Sequence, residues 1–290
     1  MEGMTLHRAV LRLATQDRPG LVADVSALLF RLQANITDAN QHVDTDLNQF
    51  FQRIEFIISA QSPEHRLQIE KEIGAACEGW GMRWVLRFPD ESLRRVAILA
   101  SKRGHAPLDL LQRHRAGELP CEIAFVLSNH TDLELEVTRR GYRFIHEPIV
   151  NKDRADQEAR IRRHLEAERI DLVVLARYMQ ILSPELVAPW RERIINIHHS
   201  FLPAFAGAEP YKQAHRRGVK LIGATSHYVT ADLDQGPIIA QDVIQVSHRD
   251  SPEAMERKGR DVERLVLAQA VQAHLEDRII TVGNKTVVFE

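Results

Sequence analysis

Two stretches, Val96-Ala97-Ile98-Leu99-Ala100 and Asp171-Leu172-Val173-Val174-Leu175-Ala176, are apolar almost without interruption. They limit what the chain can fold into. A strand with one wet face alternates apolar and polar residues, whereas a strand covered on both faces does not. Both stretches therefore read as central strands of a parallel sheet. Between and beyond them strands and helices take turns. A helix opens at Leu108, a strand runs Glu122 to Leu127, and a short one runs Arg143 to His146. Asp153 to Glu168 is a helix, and Arg193 to His198 and Leu221 to Val229 are further strands. Ser251-Pro252-Glu253 caps a long helix that ends near Glu276, with serine at the cap and proline in the first turn. Ile279 to Val282 and Thr286 to Phe289 flank Gly283-Asn284-Lys285 as a hairpin. Such alternation predicts an α/β, doubly wound, mostly parallel sheet. Ser101-Lys102-Arg103-Gly104-His105 follows the first of these strands in place of a G-x-G-x-x-G turn, which argues against a dinucleotide.

The region before this reads differently. His7 to Ala14 alternates, Asp17-Arg18-Pro19-Gly20 is a turn, and a helix follows with Leu21, Val25, Leu28, Leu29 and Leu32. Strands begin at Asn35 and run Gln49 to Ser59, then a helix runs Glu64 to Cys77 and a strand Met82 to Phe88. This βαββαβ order is ferredoxin-like. Phe88-Pro89-Asp90-Glu91-Ser92 interrupts the two periodic regions, so domains are expected at 1–90 and 91–290.

Composition narrows the function classes. A formal net charge of −2 gives no pull toward nucleic acid or anionic membrane, and no apolar run is long enough to span one. Cys77 and Cys121 form no CxxC, which fits a reducing compartment. The first residues lack a signal-peptide layout, so a cytoplasmic protein is expected. Fourteen histidines raise the question of a metal, but there is no HExxH and no Cys/His cluster, and none is expected.

The strongest chemical signal is Ile195-Asn196-Ile197-His198-His199-Ser200-Phe201-Leu202-Pro203, followed by Asp232-Leu233-Asp234-Gln235-Gly236-Pro237. In a strand, Asn196 and His198 share one face. The proline ends the strand, so the pair lies at its C-terminal end, where open α/β sheets bind ligands. An amide beside an imidazole can hold a carbonyl oxygen as it becomes an oxyanion. Asp234 can fix the histidine tautomer or steer a water. This set suggests acyl chemistry without a side-chain nucleophile. The plain alternative is a hydrogen-bonded structural pair and a turn.

Two resemblances extend this reading. Thr15 to Val25 with Ala34-Asn35-Ile36 resembles an ACT domain, a small-molecule sensor that pairs through its sheet. The resemblance implies an effector, such as a small amino acid, at Asp17, Arg18, Gly20, Leu21, Asn35 and Ile36, and a homo-oligomer, dimer or tetramer. Leu175-Ala176-Arg177-Tyr178-Met179-Gln180-Ile181-Leu182-Ser183-Pro184, Ile195 to His198, and His227-Tyr228-Val229 through Ile239 resemble the formyltransferases that use 10-formyltetrahydrofolate. The likeness covers about residues 94 to 289. The preceding ACT-like region and His199, where the purine-pathway transferases usually have proline, resemble the hydrolytic branch. The transferases also carry a glycine-rich loop for the acceptor's phosphate where this chain has Ser101 to His105.

The resemblance implies hydrolysis of 10-formyltetrahydrofolate to formate and tetrahydrofolate, with formate serving purine synthesis and with no cofactor required. Asn196, His198 and Asp234 become the catalytic set. Met179, Gln180, Ile181, Leu182, His199, Ser200, His227, Tyr228 and Asp232 become the folate-binding set. Ala106-Pro107, Gln180, Glu209 and Lys212 depart from the family's usual residues and bear on affinity. The competing readings are formyl transfer to an amine and a non-catalytic folate or amino-acid sensor.

Overall fold

The structure, a computed structural model, describes residues 5–60, 62–90, 92–203 and 210–290. Glu91 and Glu209 lie outside the described residues. The chain forms two compact units. The described residues up to Leu93, with Glu276–Val282 and Val287–Glu290, make one; Arg94–Leu275 and Gly283–Thr286 make the other.

The first unit has the expected βαββαβ order: β1 Thr5–Gln16, α1 Leu21–Arg31, β2 Asn35–Asp44, β3 Gln49–Ala60, α2 Pro63–Gly79 and β4 Arg83–Arg87. Gly20 precedes α1 at φ 91°, a left-handed conformation that glycine adopts without steric cost. Ser62 accepts from the His65 N–H, and Pro63 needs no donor in the first turn of α2. The sheet order is β2-β3-β1-β4, antiparallel throughout. Val25, Leu28 and Leu29 of α1 and Ile69, Ile73 and Cys77 of α2 pack on Leu11, Leu13, Ile54 and Phe56. Strand β2 is the exposed edge, with Ile36 and Val43 open to solvent.

The second unit runs β5 Arg94–Ala100, α3 His105–Arg115, β6 Cys121–Ser128, α4 Glu134–Thr138, β7 Phe144–His146, α5 Arg154–Ala167, β8 Leu172–Leu175, α6 Pro184–Val187, β9 Ile194–His198, α7 Pro210–Arg217, β10 Leu221–Tyr228, β11 Ile238–Gln245 and α8 Pro252–Leu275. Its seven-stranded sheet has the order β7-β6-β5-β8-β9-β10-β11. Strands β7 through β9 are parallel, and β10 and β11 each run antiparallel to the strand before them. This is the expected doubly wound architecture. The order reverses between β5 and β8, and ligands in such sheets bind outside the strand ends at that point.

Two differences from expectation have local causes. Helix α3 starts at His105, three residues before Leu108, because Pro107 falls in the first turn, where its missing N–H costs nothing. Strand β11 was not foreseen, since its Ile238-to-Gln245 run follows the Asp-Gln-Gly-Pro turn without a clean period-two pattern. The C-terminal hairpin forms from β12 Ile279–Val282 and β13 Lys285–Val288. Ile280, Val282, Val287 and Phe289 pack on Ala14 and Phe51, covering the second face of the first unit's sheet.

Candidate active site

Asn196 and His198 lie two apart on β9 and face one way, as the sequence predicts. Antiparallel pairing sets His227 of β10 directly opposite Asn196, and Thr225 opposite His198. Residues opposite each other across a ladder share a face. The segment joining β10 to β11 brings in Asp234. It lies so close to β10 that a Cβ on Gly236 would stand 1.8 Å from the Tyr228 carbonyl oxygen, so only glycine fits. The Tyr228 N–H donates to the Pro237 carbonyl at 2.9 Å and pins the return. Asp234 is left-handed at φ 55°, which a short polar side chain tolerates.

The Asp234 carboxylate then lies between two imidazoles, 3.2 Å from His198 Nδ1 and 3.6 Å from His227 Nε2. The hydrogen bond from His198 and, next, the neighbouring His227 ring hold its pKa well below the usual carboxylate range against the opposing effect of burial. His227 Nδ1 faces the Tyr228 carbonyl oxygen at 2.9 Å, and a carbonyl only accepts, so Nδ1 carries a proton. In the neutral ring Nε2 is then the acceptor, and the Asn196 amide N–H donates to it at 3.3 Å. His227 thereby fixes which way the Asn196 amide points. His198 Nε2 is buried and has no hydrogen-bond partner among the described residues.

Ser226 donates its hydroxyl to the Asn196 carbonyl at 3.1 Å. Burial pushes the Cys77 thiol up to about 11 and Cys121 up to about 12, so neither is a thiolate near neutrality. Among the described residues, no three His, Cys, Asp or Glu side chains are grouped to hold a metal.

His199 follows the last residue of β9. Its ring turns back to lie 5.3 Å from that of His198, tilted 38°, and 6.1 Å from that of Tyr211. Burial, reinforced by the Arg177 charge and opposed by Glu263, lowers its pKa to about 4, so the ring is neutral at physiological pH.

The loop after β8 presents apolar side chains to solvent: Met179 is 56% exposed and Ile181 57%. The Met179 N–H donates to Ser101 Oγ at 3.0 Å, and Ser101 in turn donates to Asn129 Oδ1 at 2.7 Å. Leu182 is half-buried against the core, and Gln180 is half-buried. An open groove of about 600 Å³ runs past Ile181, Leu182 and Leu186 between Arg154, Glu158 and Arg162. A second cavity of about 550 Å³ touches Asp234, Leu202, Leu233, Ile238 and Lys285. Asp232 is exposed, and its carbonyl accepts from the Thr230 hydroxyl at 3.1 Å.

Other expected residues fall elsewhere. Strand alternation turns the Tyr228 ring away from His227, and its hydroxyl meets His274 Nδ1 at 2.8 Å. Ser200 is buried and its carbonyl accepts from Thr225 Oγ1 at 2.9 Å. In the first unit, Leu21 is 2% exposed in the core, because it is the first apolar residue of α1's inner face. Asp17 donates its N–H to the Asn48 carbonyl at 3.0 Å, and Arg18 pairs with Asp24 at 2.8 Å. Asn35 and Ile36 are exposed on β2, yet they do not join the Asp17-to-Gly20 turn within one chain. Gln16 aligns through Gln49 with Asp44, whereas Asn35 aligns through Ile57 with Arg8, at the other end of β2. A helix that links two strands running the same way starts at one end of the sheet and delivers the second strand to the other.

A buried acid on α8 lies outside the stretches that the sequence motifs single out. Glu263 is 1% exposed on α8 and receives hydrogen bonds from His105 and Tyr211. The signal was legible: Gly259, Val262, Glu263 and Val266 fall on one apolar helical face, and an acid there is out of place.

Comparison with known proteins agrees with both halves of the fold. The Formyl transferase family model matches residues 94–271, and the ACT domain model matches residues 9–78. A formyltetrahydrofolate deformylase of Bacillus subtilis is 50% identical over 281 residues, spanning 96% of this chain and 93% of that one. The crystal structure of a formyltetrahydrofolate deformylase from Pseudomonas syringae pv. tomato superposes with a TM-score of 0.93 at 46% identity, covering 98% of this chain and 95% of the other. A glycinamide ribonucleotide transformylase of Symbiobacterium toebii aligns less completely: TM-score 0.65, 33% identity, 68% of this chain and 95% of its own. With full-length likeness to the first two and partial likeness to the third, the chain belongs to the formyltetrahydrofolate deformylase family.

Proposed function

We propose that the chain hydrolyses 10-formyltetrahydrofolate to formate and tetrahydrofolate. The observation that carries this reading is His198: Nδ1 is held by an ionised Asp234, while Nε2 is buried beside Asn196 with no partner among the described residues. A buried polar atom without a partner is costly unless a reactant fills the role. Water adds to the formyl carbon, whose oxygen becomes anionic. The second N–H of Asn196 and a protonated His198 Nε2 stabilise that charge. Asp234 orients the imidazole, steers the water and takes up its proton. The bond from carbon to N10 breaks, N10 gains a proton from His198, and formate leaves. Only water and these groups are needed, so no cofactor takes part.

Exposed Met179 and Ile181 with half-buried Leu182 suit a flat pterin. Arg154 and Arg162 along the adjoining groove suit the acidic tail of a folate. In this reading Arg94–Leu275 with Gly283–Thr286 is the catalytic unit and the first unit, which takes in Glu276–Val282 and Val287–Glu290 rather than ending at 90, is a regulatory one. The exposed edge of β2 suits pairing with a second copy, in a dimer or tetramer, and a small amino-acid effector would then lie between the Asp17-to-Gly20 turn of one copy and Asn35-Ile36 of the other. The proposed setting is cytoplasmic, with the formate feeding purine synthesis.

The test is to incubate pure protein with 10-formyltetrahydrofolate and no acceptor, then quantify both products. Equal amounts of formate and tetrahydrofolate are expected. Binding without release would overturn the reading.

A further inference from the structure

The reversal point of the sheet forms a crevice outside the strand ends. Three neighbouring parallel strands each send one residue into it: His105 after β5, Arg177 after β8 and His199 after β9. Glu263 of α8 ties them together. Its Oε2 lies 2.8 Å from His105 Nε2 and 3.5 Å from Arg177 Nε, and its Oε1 accepts from the Tyr211 hydroxyl at 2.8 Å. The Tyr211 ring in turn lies against His199, which lies against His198.

The cluster is built into the backbone. A Cβ on Gly259, one turn before Glu263 on α8, would stand 2.0 Å from the Tyr211 hydroxyl oxygen, so glycine opens the notch through which the phenol reaches the acid. Arg177 is held left-handed at φ 63°, a strained conformation for a non-glycine residue that persists only where its surroundings fix it. Its Nε is buried and, among the described residues, makes no hydrogen bond and lies 3.5 Å from Glu263 Oε2. None of these groups has a part in the water attack itself.

We propose that the His105–Arg177–Glu263–Tyr211 cluster is a specificity device: it fills the place where a second substrate would lie beside His198 and leaves water as the one formyl acceptor. This rests on the hydrolytic reading above. With the cluster intact, an amine larger than water has no line to the formyl carbon. With it opened, a primary amine adds to that carbon, the bond to N10 breaks, N10 takes the amine's proton, and an N-substituted formamide replaces formate.

The test measures the ratio of formamide to formate when 10-formyltetrahydrofolate turns over in excess glycinamide, after subtraction of the enzyme-free reaction. A product ratio does not depend on how much of a variant folds. The wild type should give formate alone. Tyr211→Ala and His105→Ala should give formamide at a ratio at least tenfold above the detection limit set by the wild type, at the low end of the roughly 10–200-fold that pocket bulk contributes to discrimination. Tyr211→Phe, which keeps the ring, should stay at the wild-type ratio. Formamide from the wild type, or a wild-type ratio in both alanine variants, would overturn the inference. Absence of formate from the wild type in both the presence and absence of amine would overturn the hydrolytic reading and the inference with it.

Discussion

His199 makes the most quantitative prediction. Burial and the nearby Arg177 charge move its pKa from 6.5 to about 4, with Glu263 and Asp234 pulling the other way. An imidazole depressed in the fold binds fewer protons there than in the unfolded chain. Stability from this group is therefore complete above about pH 6.5 and declines as pH falls toward about 4. A shift from 6.5 to about 4 corresponds to about 3 kcal/mol over the whole window, and about 2 kcal/mol of it is gone by about pH 5. That is a large share of the roughly 5–15 kcal/mol that holds a domain together. Replacing His199 by glutamine removes the proton-binding group while keeping a polar side chain of similar reach. Urea unfolding at about pH 7.5 and about pH 5 should show the wild type losing about 2 kcal/mol more than His199→Gln. The His199 ring proton signal, assigned by its absence from the variant, should titrate near 4. A midpoint near 6.5, or equal losses in the two proteins, would refute the argument.

Other outcomes follow from the same geometry. Asn196→Ala should lower kcat by about 10²–10³ with little change in KM, because the amide acts on charge that appears only in the transition state; unchanged turnover would remove it from the mechanism. His227→Phe should free the Asn196 amide to rotate, so kcat should fall without loss of folding, as read by turnover beside circular dichroism. Gly236→Ala should displace the Asp234 segment, because its methyl would stand 1.8 Å from the Tyr228 carbonyl oxygen; activity should be lost and the melting temperature lowered. Asp234 has a depressed pKa, so its contribution to stability is present above about pH 4 and lost as pH falls further; the stability gap between wild type and Asp234→Asn should close in acid.

Much of this was legible in the residues. The apolar strands at Val96 and Leu172 and the β-α alternation give the doubly wound sheet, and period two gives the shared face of Asn196 and His198. What escaped depends on long-range geometry. The pairing of His227 with Asn196 requires the β9–β10 register, which no local pattern states. Asp234 reaches His198 only because Gly236 lets its loop lie on β10. Tyr228 belongs to a stretch that resembles the family's folate site, but alternation sends its ring to His274. Asn35 and Ile36 looked like neighbours of Gly20 by motif, while the register of β1, β3 and β2 sets them at the far end of the sheet. Glu263 was readable as an acid on an apolar helix face, though its partners come from elements more than forty residues away in sequence.

The central claim is that Asp234 and His198 act together on a formyl group attacked by water. The most direct test compares Asp234→Asn with the wild type, measuring formate release and, separately, binding of an unreactive folate. An amide in place of the carboxylate keeps the shape and removes the charge that orients His198 Nδ1. Loss of turnover by about 10²–10⁴ with binding intact is the predicted result. Turnover near that of the wild type, with formate still released, would contradict the account.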